Sequence, residues 1–352
     1  MKRPPLVFVL SALPPPPGGV AVHTERLCRL LHAQGYCVEA FEMHTKRAVG
    51  ANFPFAYHHG RGVCTMFLFL VACFARRPDI IHIHLSTARR VFLLFPVIVA
   101  LSALFRLILT VHSGSFSRRV AEATGAERWW LVRGFRSVNS VIAVSRVNQE
   151  VLIREFGVAQ NRIALIPAFL RPSAPETCSP SGSRPQRRVI LASGYATPTY
   201  FWEGLLEALQ GLAMLDELVL AFYNQFDQPY FDNLVERTRR SGPFAVRLCR
   251  DLSADAFQRE LAHATLFVRP TLTDGDSVAL REALALGTRV VASDAVPRPP
   301  GCVLFRSRDV GDLREKLLLV SKMPVRSTPP DDCDFAQPIL ALYERVLAGG
   351  AG

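Results

Sequence analysis

The stretch that decides the fold runs from Phe267 to Asp294 and reads FVRPTLTDGDSVALREALALGTRVVASD. An apolar strand that ends at Arg269 leads into a polar loop, and the pattern from Ser277 onward predicts a helix that Gly287 caps. A second apolar strand completes the stretch. A strand, a helix and another strand in this order are typical of a parallel sheet.

The same alternation continues through the whole chain. The strands predicted in the first half are Leu6–Leu13, Cys37–Glu42, Asp79–His84, Leu107–His112, Val141–Ser145 and Arg162–Pro167. Those predicted in the second half are Val189–Ser193, Glu217–Tyr223, Ala245–Cys249, Leu266–Arg269, Arg289–Ser293 and Cys302–Phe305. Because these strands are almost continuously apolar, we expect an α/β protein whose parallel sheets are covered by helices on both faces.

Two domains are predicted, because 352 residues exceed one ordinary core. Residues 171–188 are rich in Pro, Ser and Gly and indicate a linker between a domain at 1–170 and a domain at 189–334. Doubly wound sheets bind ligands beyond the carboxyl ends of their strands. We therefore expect both domains to face a common cleft.

Charge is distributed unevenly along the chain. Residues 1–172 hold 21 Lys and Arg against 8 Asp and Glu, a net charge of +13, whereas the remainder holds 20 against 22, a net charge of −2. The basic half predicts a face that meets anions. With no zinc finger, helix-turn-helix or aromatic RNA-binding pattern, nucleic acid is not an expected partner.

Two features bear on the cellular location. The eight cysteines are scattered without a C-x-x-C pair, which favours reduced thiols over a disulfide framework or a zinc site. The apolar run Leu6–Leu13 resembles a short signal peptide, but Pro14–Pro17 follow in place of a cleavage site, which favours a buried first strand. We expect a cytoplasmic protein.

Two apolar stretches, 63–77 and 89–109, contain or adjoin arginine pairs. The first is shorter than the ~20 residues that cross a bilayer, and Pro96 breaks the second. They fit either buried crossover helices or helices at a membrane interface. The basic charge of the same half keeps peripheral contact with the inner face of the membrane among the expectations.

The residues at the start of the helix after Ser277 suit a phosphorylated ligand. Backbone N–H groups at a helix start bind anions. Glu282 lies about one and a half turns into the helix, where its carboxylate can accept two hydrogen bonds from vicinal hydroxyls such as those of a ribose. Alternatively, Asp274 or Ser277 only caps the helix and Glu282 is solvated.

Taken together, these motifs resemble the GT-B glycosyltransferases of family 4. The hallmark of that family is an acidic residue, seven residues and a glutamate, here Asp274 and Glu282, followed by Ala-Leu-Ala-Leu-Gly-Thr-Arg-Val-Val-Ala-Ser. Further motifs stand in family order: Gly18-Gly19-Val20, Pro78–His84, Thr110–His112, Val141–Ser145 and Arg162–Pro167. The resemblance implies two Rossmann-like domains, with the acceptor on the N-terminal side, the donor on the C-terminal side, and a last helix within 335–352 that crosses back to the first domain.

The resemblance also implies roles for matching residues. Glu282 would bind the donor ribose, Asp274 would bind hydroxyls of the transferred sugar, and His112 would face that sugar, so these three are the catalytic candidates. The donor-binding candidates are Gly18, Gly19, Arg269, Gly275, Asp276, Ser277, Val278, Glu282 and Arg298. Such enzymes are usually retaining and metal-free, so we expect no cofactor and no metal beside the nucleotide-sugar substrate.

The sequence departs from the family where phosphate charge is normally neutralised. The usual Arg and Lys after the first strand of the second domain are absent, because Tyr195 and further aromatic residues follow Gly194. Arg269 and Arg298, at the ends of neighbouring predicted strands, could replace that pair. Asp276 adds a carboxylate that should disfavour a crowded anionic donor or select particular hydroxyls.

Two patterns imitate metal sites. Asp274-Gly275-Asp276 spells the D-x-D by which another glycosyltransferase class binds metal, but here it opens the loop before Glu282. His82 and His84 point the same way from one strand and could bind a metal, although such a pair more often merely ends a strand. We expect no metal at either place.

The expected function is transfer of a sugar from a nucleoside-diphosphate donor to a saccharide or lipid-linked acceptor, in cell-surface polysaccharide or glycoconjugate synthesis. The missing cation pair motivates one alternative, a catalytically silent GT-B protein that binds a nucleotide sugar or glycan. A nucleotide-sugar epimerase is a second alternative. A nicotinamide-dependent oxidoreductase is disfavoured, since no G-x-G-x-x-G follows a strand.

Overall fold

The computed structural model describes residues 3–15, 18–42, 53–60, 62–85, 94–112, 114, 116–170, 188–212, 215–323 and 335–349. The chain forms two compact units. One comprises Met1–Pro15, Gly19–Leu170 and Asp334–Gly352, and the other comprises Pro16–Gly18 and Arg171–Cys333. The predicted linker, 171–188, lies outside the described residues apart from Arg188.

Strands and helices alternate in chain order. The strands are β1 (Leu6–Leu10), β2 (Cys37–Glu42), β3 (Ala56–His59), β4 (Ile80–Leu85), β5 (Leu107–Val111), β6 (Ser140–Ala143), β7 (Ile163–Leu165), β8 (Val189–Ala196), β9 (Glu217–Phe226), β10 (Ala245–Arg250), β11 (Leu266–Arg269), β12 (Arg289–Ser293) and β13 (Val303–Phe305). The helices are α1 (Gly19–Ala33), α2 (Gly62–Arg76), α3 (Phe95–Ser102), α4 (Phe116–Ala121), α5 (Gly125–Ser137), α6 (Arg146–Phe156), α7 (Trp202–Leu209), α8 (Gln228–Thr238), α9 (Ala254–His263), α10 (Val278–Ala285), α11 (Val310–Ser321) and α12 (Ala336–Leu347).

Each unit contains one parallel sheet. The first sheet has the order β3-β2-β1-β4-β5-β6-β7, and the second has the order β10-β9-β8-β11-β12-β13. Strand order reverses beside the first strand of each sheet, between β1 and β4 and between β8 and β11. These are the switch points at which doubly wound sheets bind ligands. The predicted α/β class is confirmed.

The central strand β1 is apolar along its whole length because the sheet is buried on both faces there. In β1, Leu6, Phe8 and Leu10 belong to one hydrophobic core, while Val7 and Val9 belong to the core on the opposite face. Successive side chains of a strand alternate between the two faces, so a strand covered on both sides needs apolar residues at every position.

Helix α12 packs in the first unit although it ends the chain. Ile339, Tyr343 and Val346 are buried in the same core as Val7 and Val9. The Tyr343 hydroxyl also lies 2.6 Å from Nδ1 of His82 in β4. The last helix therefore completes the hydrophobic core of the N-terminal unit.

The two apolar stretches differ in how much of their apolar surface is buried. In 89–109, residues 89–93 lie outside the described residues, α3 buries Phe95, Ile98 and Leu101, and β5 is a core strand. This burial favours the crossover-helix alternative for α3, while Leu104 after it is 64% exposed, so membrane contact through this stretch stays a prediction. In 63–77, α2 buries only one face of its apolar surface.

No helix in the described part of the chain is long and apolar enough to cross a membrane.

Close packing of α5 on α3 gives a test of the first core. A Cβ at Gly134 would lie 2.3 Å from Cδ1 of Phe95, a ring that is 1% exposed and cannot move aside. Gly134→Ala should therefore lower the free energy of unfolding by about 1–3 kcal/mol in chemical denaturation. Gly125→Ala in the same helix meets open space and is the control. Equal losses in the two variants would contradict this packing.

Candidate active site

The loop after β11 brings two arginines onto one carboxylate. Arg269, the last residue of β11, donates from Nε to Oδ2 of Asp274 at 2.9 Å and from Nη2 to Oδ1 at 3.1 Å. Arg298 donates from Nη1 to the same Oδ2 at 2.9 Å. The side chains of Arg269, Asp274 and Arg298 are only 6%, 11% and 2% exposed. We call these three residues the arginine–aspartate triad.

Backbone oxygens hold both guanidinium groups in place. Arg269 donates from Nη1 to the carbonyl of Ser193 at 2.8 Å, and Arg298 donates from Nε to the carbonyl of Ser293 at 3.0 Å. Burial alone would raise the pKa of the Asp274 carboxyl, but the charges and hydrogen bonds of the two arginines outweigh burial and hold that pKa below its usual value. Asp274 is thus ionised, and the triad carries a net charge of +1.

Helix α10 begins beside this triad. The Ser277 Oγ accepts a hydrogen bond from the Leu280 N–H at 3.4 Å and caps the helix, and Gly287 follows it with a φ of +71°. Glu282 is 5% exposed, which excludes the alternative in which it is solvated. The loop and the first turn therefore place Asp274–Val278 and Glu282 around one helix start.

Asp276, in the loop before α10, is paired with an arginine of that helix. The Arg281 Nε lies 2.7 and 2.8 Å from the two carboxylate oxygens of Asp276, and both side chains are largely buried. The added carboxylate at this position is therefore balanced by a cation. This pairing weakens the reason for expecting Asp276 to repel an anionic donor.

Aromatic rings occupy the region where the expected cation pair is missing. Tyr195 and Tyr200 lie with ring centroids 5.4 Å apart, and Tyr200 stacks near Trp202 at 5.7 Å. The guanidinium carbon of Arg269 lies 5.0 Å from the Tyr200 ring centroid, within the range of a cation–π contact. A Cβ at Gly194 would come within 2.0 Å of the Tyr200 ring, so the glycine makes room for this ring.

The first unit gathers histidines at the carboxyl edge of its sheet. His84 lies near the end of β4 and His112 directly follows β5, and the His84 Nδ1 lies 2.8 Å from the His112 Nε2. His82 points to the same edge, but Tyr343 and Thr110 engage its two ring nitrogens at 2.6 and 2.7 Å. Burial, and then the neighbouring histidines, lower the pKa of His112, so its imidazole is neutral at neutral pH.

Gly19 also lies at this end of the first sheet, because it begins α1, the helix that follows β1, whereas Gly18 belongs to the second unit. The predicted site residues thus form two sets. One set, in the second unit, comprises Arg269, Asp274, Gly275, Asp276, Ser277, Val278, Glu282 and Arg298. The other set, at the switch point of the first sheet, comprises Gly19 and His112, with Gly18 immediately before α1.

The sequence and the fold both match known glycosyltransferases. Residues 17–173 match the sequence model of Glycosyltransferase Family 4. The fold resembles sucrose-phosphate synthase from Thermosynechococcus elongatus, with 17% identity, a TM-score of 0.70 and coverage of 98% of this chain and 100% of that chain. The chain has the GT-B fold, and its N-terminal part matches the family 4 model.

Two further solved structures share this GT-B fold. The first is WaaG, a glycosyltransferase involved in lipopolysaccharide biosynthesis, with 13% identity, a TM-score of 0.68 and coverage of 98% and 100% of the two chains. The second is Anabaena HepE in complex with UDP and glucose, with 16% identity, a TM-score of 0.66 and coverage of 97% and 96%. None of the curated protein sequences matches the chain. The predicted GT-B fold is confirmed, and the family 4 model matches the chain over residues 17–173.

Three features of this GT-B protein were missed from its sequence. Asp274 bridges Arg269 and Arg298, and Arg298 lies 24 positions after Asp274 in the chain. The partnership of Asp276 with Arg281 had a local signal, since a spacing of five places both near the start of one helix. His23, the third histidine near His84 and His112, lies in α1 and had no motif of its own.

The arginine–aspartate triad predicts a strong dependence of stability on Asp274. Asp274→Asn leaves two buried guanidinium groups without their counter-charge and should cost about 3–5 kcal/mol of unfolding free energy, measured by chemical denaturation. Glu236→Gln is the matched control, because Glu236 also pairs with two arginines, Arg239 and Arg240, but is 47% exposed. The control should lose less than about 1 kcal/mol. Similar losses in both variants would show that the buried triad is not special.

Proposed function

We propose that this protein transfers a sugar from a nucleoside-diphosphate sugar to a saccharide or lipid-linked acceptor, with retention of configuration and without a metal ion at the diphosphate. It would act in the cytoplasm, in the synthesis of a cell-surface polysaccharide or glycoconjugate. The observation that carries the proposal is the buried cationic triad beside the N-terminus of α10, with the buried carboxylate of Glu282 further along that helix.

The charges at this edge suit a diphosphate. The triad contributes a net charge of +1, the pair formed by Asp276 and Arg281 is balanced, and the first N–H groups of α10 add a partial positive charge. Two guanidinium groups can stabilise the negative charge that develops on a departing nucleoside diphosphate. Arg269 and Arg298 would thereby replace the Arg and Lys that the family carries after its first strand.

Glu282 and His112 have separate roles in this proposal. The Glu282 carboxylate would accept hydrogen bonds from the vicinal ribose hydroxyls. Because Nε2 of the neutral His112 imidazole is paired with His84, its Nδ1 would face the sugar hydroxyl, as donor or acceptor according to the tautomer. Asp274 would act mainly by holding the two arginines in place. Only a carboxylate lone pair that neither arginine uses would be available to accept a hydrogen bond from the sugar.

The D-G-D sequence has a local reason not to hold a metal ion. Both carboxylates already face guanidinium groups, Asp274 from two sides and Asp276 from one. A divalent ion would have to displace these cations or lie beside them, and either step is electrostatically costly. Leaving-group charge is then stabilised by protein donors.

A row of exposed apolar side chains on α2, and the fold shared with WaaG, a glycosyltransferase involved in lipopolysaccharide biosynthesis, support a lipid-linked acceptor. Val63, Phe67, Val71 and Phe74 follow one another at helical spacing and are 85%, 70%, 47% and 58% exposed. The Phe74 ring also lies 6.0 Å from the Phe105 ring, which adjoins the exposed Leu104. An apolar stripe on a basic domain suits an anionic membrane surface, where a lipid-linked acceptor would be found.

Donor binding can be tested by thermal shift with a panel of nucleoside-diphosphate sugars. The correct donor should stabilise the wild-type protein by about 2.7 kcal/mol at a concentration of 100 Kd, because it binds only the folded state. Glu282→Gln should lose most of that ligand-induced shift, whereas Glu236→Gln, an exposed change in the same unit, should keep it.

Product analysis of the same samples separates the alternatives. A transferase should release nucleoside diphosphate slowly even without an acceptor, whereas a silent binding protein should release none. An epimerase should change the sugar without releasing the nucleotide. An unaltered shift in Glu282→Gln, or no shift with any donor, would contradict the proposed donor site.

Membrane contact can be tested by sedimentation with anionic phosphatidylglycerol vesicles. Replacing Phe67 and Phe74 together by serine should weaken binding at least about tenfold, because two exposed rings would no longer enter the interface. The control replaces Leu318 and Leu319 of α11, which are 37% and 50% exposed in the other unit. Equal binding by wild type and the Phe67/Phe74 variant would contradict the role of α2.

A further inference from the structure

Three histidines converge at the switch point of the first sheet. His84 lies near the end of β4, His112 follows the adjacent strand β5, and His23 lies in α1, which leaves β1 on the other side of β4. Their ring centroids are separated by 5.1 Å (His84–His112), 5.2 Å (His23–His112) and 5.7 Å (His23–His84). One ring nitrogen from each histidine lies within 4.8 Å of the other two.

The hydrogen bonding of this cluster is incomplete. His23, His84 and His112 are only 3%, 7% and 9% exposed. Nδ1 of His23 and Nε2 of His84 have no hydrogen-bond partner among the residues that the structure describes. A buried polar atom without a partner costs about 1–3 kcal/mol. A metal ion that accepts nitrogen lone pairs would satisfy both of these atoms at once.

His82 shows by contrast what a purely structural histidine looks like here. It is completely buried two residues before His84, and both of its ring nitrogens have hydroxyl partners, Tyr343 and Thr110. It is therefore not available as a ligand. The orphaned nitrogens belong to the histidines that face one another across the switch point.

We propose that His23, His84 and His112 bind one divalent ion of the borderline class, of which Zn²⁺ is the common biological example. Three imidazoles without a carboxylate favour Zn²⁺, Co²⁺, Ni²⁺ or Cu²⁺ over Mg²⁺ or Ca²⁺, which prefer oxygen ligands. Zn–N bonds of about 2.0–2.1 Å in a tetrahedron separate the nitrogens by roughly 3.4 Å. The ligand atoms of the three histidines already lie within 4.8 Å of one another, and metal binding would replace the present 2.8 Å contact between Nδ1 of His84 and Nε2 of His112.

A site of three neutral nitrogens leaves the fourth tetrahedral position open. The ion keeps its full double charge there and takes an oxygen ligand, from water or from a substrate hydroxyl. Each imidazole has a second nitrogen, so His112 can bind the ion with one and retain the other for a sugar. The ion lies in the unit that does not contain the arginine–aspartate triad. This departs from the sequence-based expectation of a protein without metal.

The test is a titration of chelator-treated, tag-free protein with Co²⁺ in the absence of any nucleotide sugar. The wild-type protein should bind one equivalent and show the intense visible ligand-field absorption of a four-coordinate ion. Zn²⁺ should displace the Co²⁺ and abolish the absorption, whereas a large excess of Mg²⁺ should not. His84→Ala and His23→Asn should each weaken Co²⁺ binding at least about tenfold, since loss of a ligand costs more than loss of its supporting groups.

His59→Ala is the matched control, because His59 lies on the exposed edge strand β3 of the same unit and should leave the affinity unchanged. Circular dichroism shows whether each variant folds. If His84→Ala or His23→Asn fails to fold, the Co²⁺ affinity of the remaining variant tests the proposal. The absence of the absorption in wild-type protein, or unchanged affinity in both ligand variants, would overturn the proposal. The titration needs no donor and no activity, so a chain that binds Co²⁺ without transferring sugar would overturn only the proposed function.

Discussion

Burial of both sheets on both faces is the constraint on which the rest of the structure depends. A strand such as β1, with all five residues buried, has no room for a polar side chain along its length. Functional groups are therefore confined to the residues at or after the carboxyl ends of strands. Arg269 at the end of β11 and His84 near the end of β4 follow this rule. The same constraint that makes the sheets stable also concentrates the chemistry at their edges.

At the edge of the second sheet, the same constraint creates an electrostatic problem. Two guanidinium groups close together in a largely buried site would repel each other strongly. Asp274 resolves this by lying between Arg269 and Arg298 at hydrogen-bonding distance from both, while carbonyl groups of Ser193 and Ser293 take further N–H groups. The result is a rigid site that remains cationic.

Much of this was readable from the sequence, for physical reasons. Strand positions followed from continuous apolar runs, and the start of α10 followed from the capping residue Ser277. β3 was missed because its four residues are partly exposed and polar, so an edge strand of this kind has no apolar run. The exposure of α2 and the double pairing of Asp274 depend on what packs against them from distant parts of the chain. The histidine cluster was half readable, since His84 and His112 stood in motifs whereas His23 did not.

The first unit has many more basic than acidic side chains, so ion pairs within it cannot neutralise its positive charge. In the second unit basic and acidic residues are nearly equal in number, and single arginines such as Arg247 pair with both Glu217 and Glu260. Residues 1–172 contain 21 cationic side chains and only 8 carboxylates, so most of these cations have no carboxylate partner within this part of the chain and attract anions. An anionic surface would balance these cations at about 1 kcal/mol per basic residue near it, while the stripe on α2 adds short-range apolar contact. The electrostatic attraction is screened within about 10 Å at 0.1 M salt, whereas the apolar contact is not. High salt should therefore weaken the long-range attraction but leave the contact of the inserted rings unchanged.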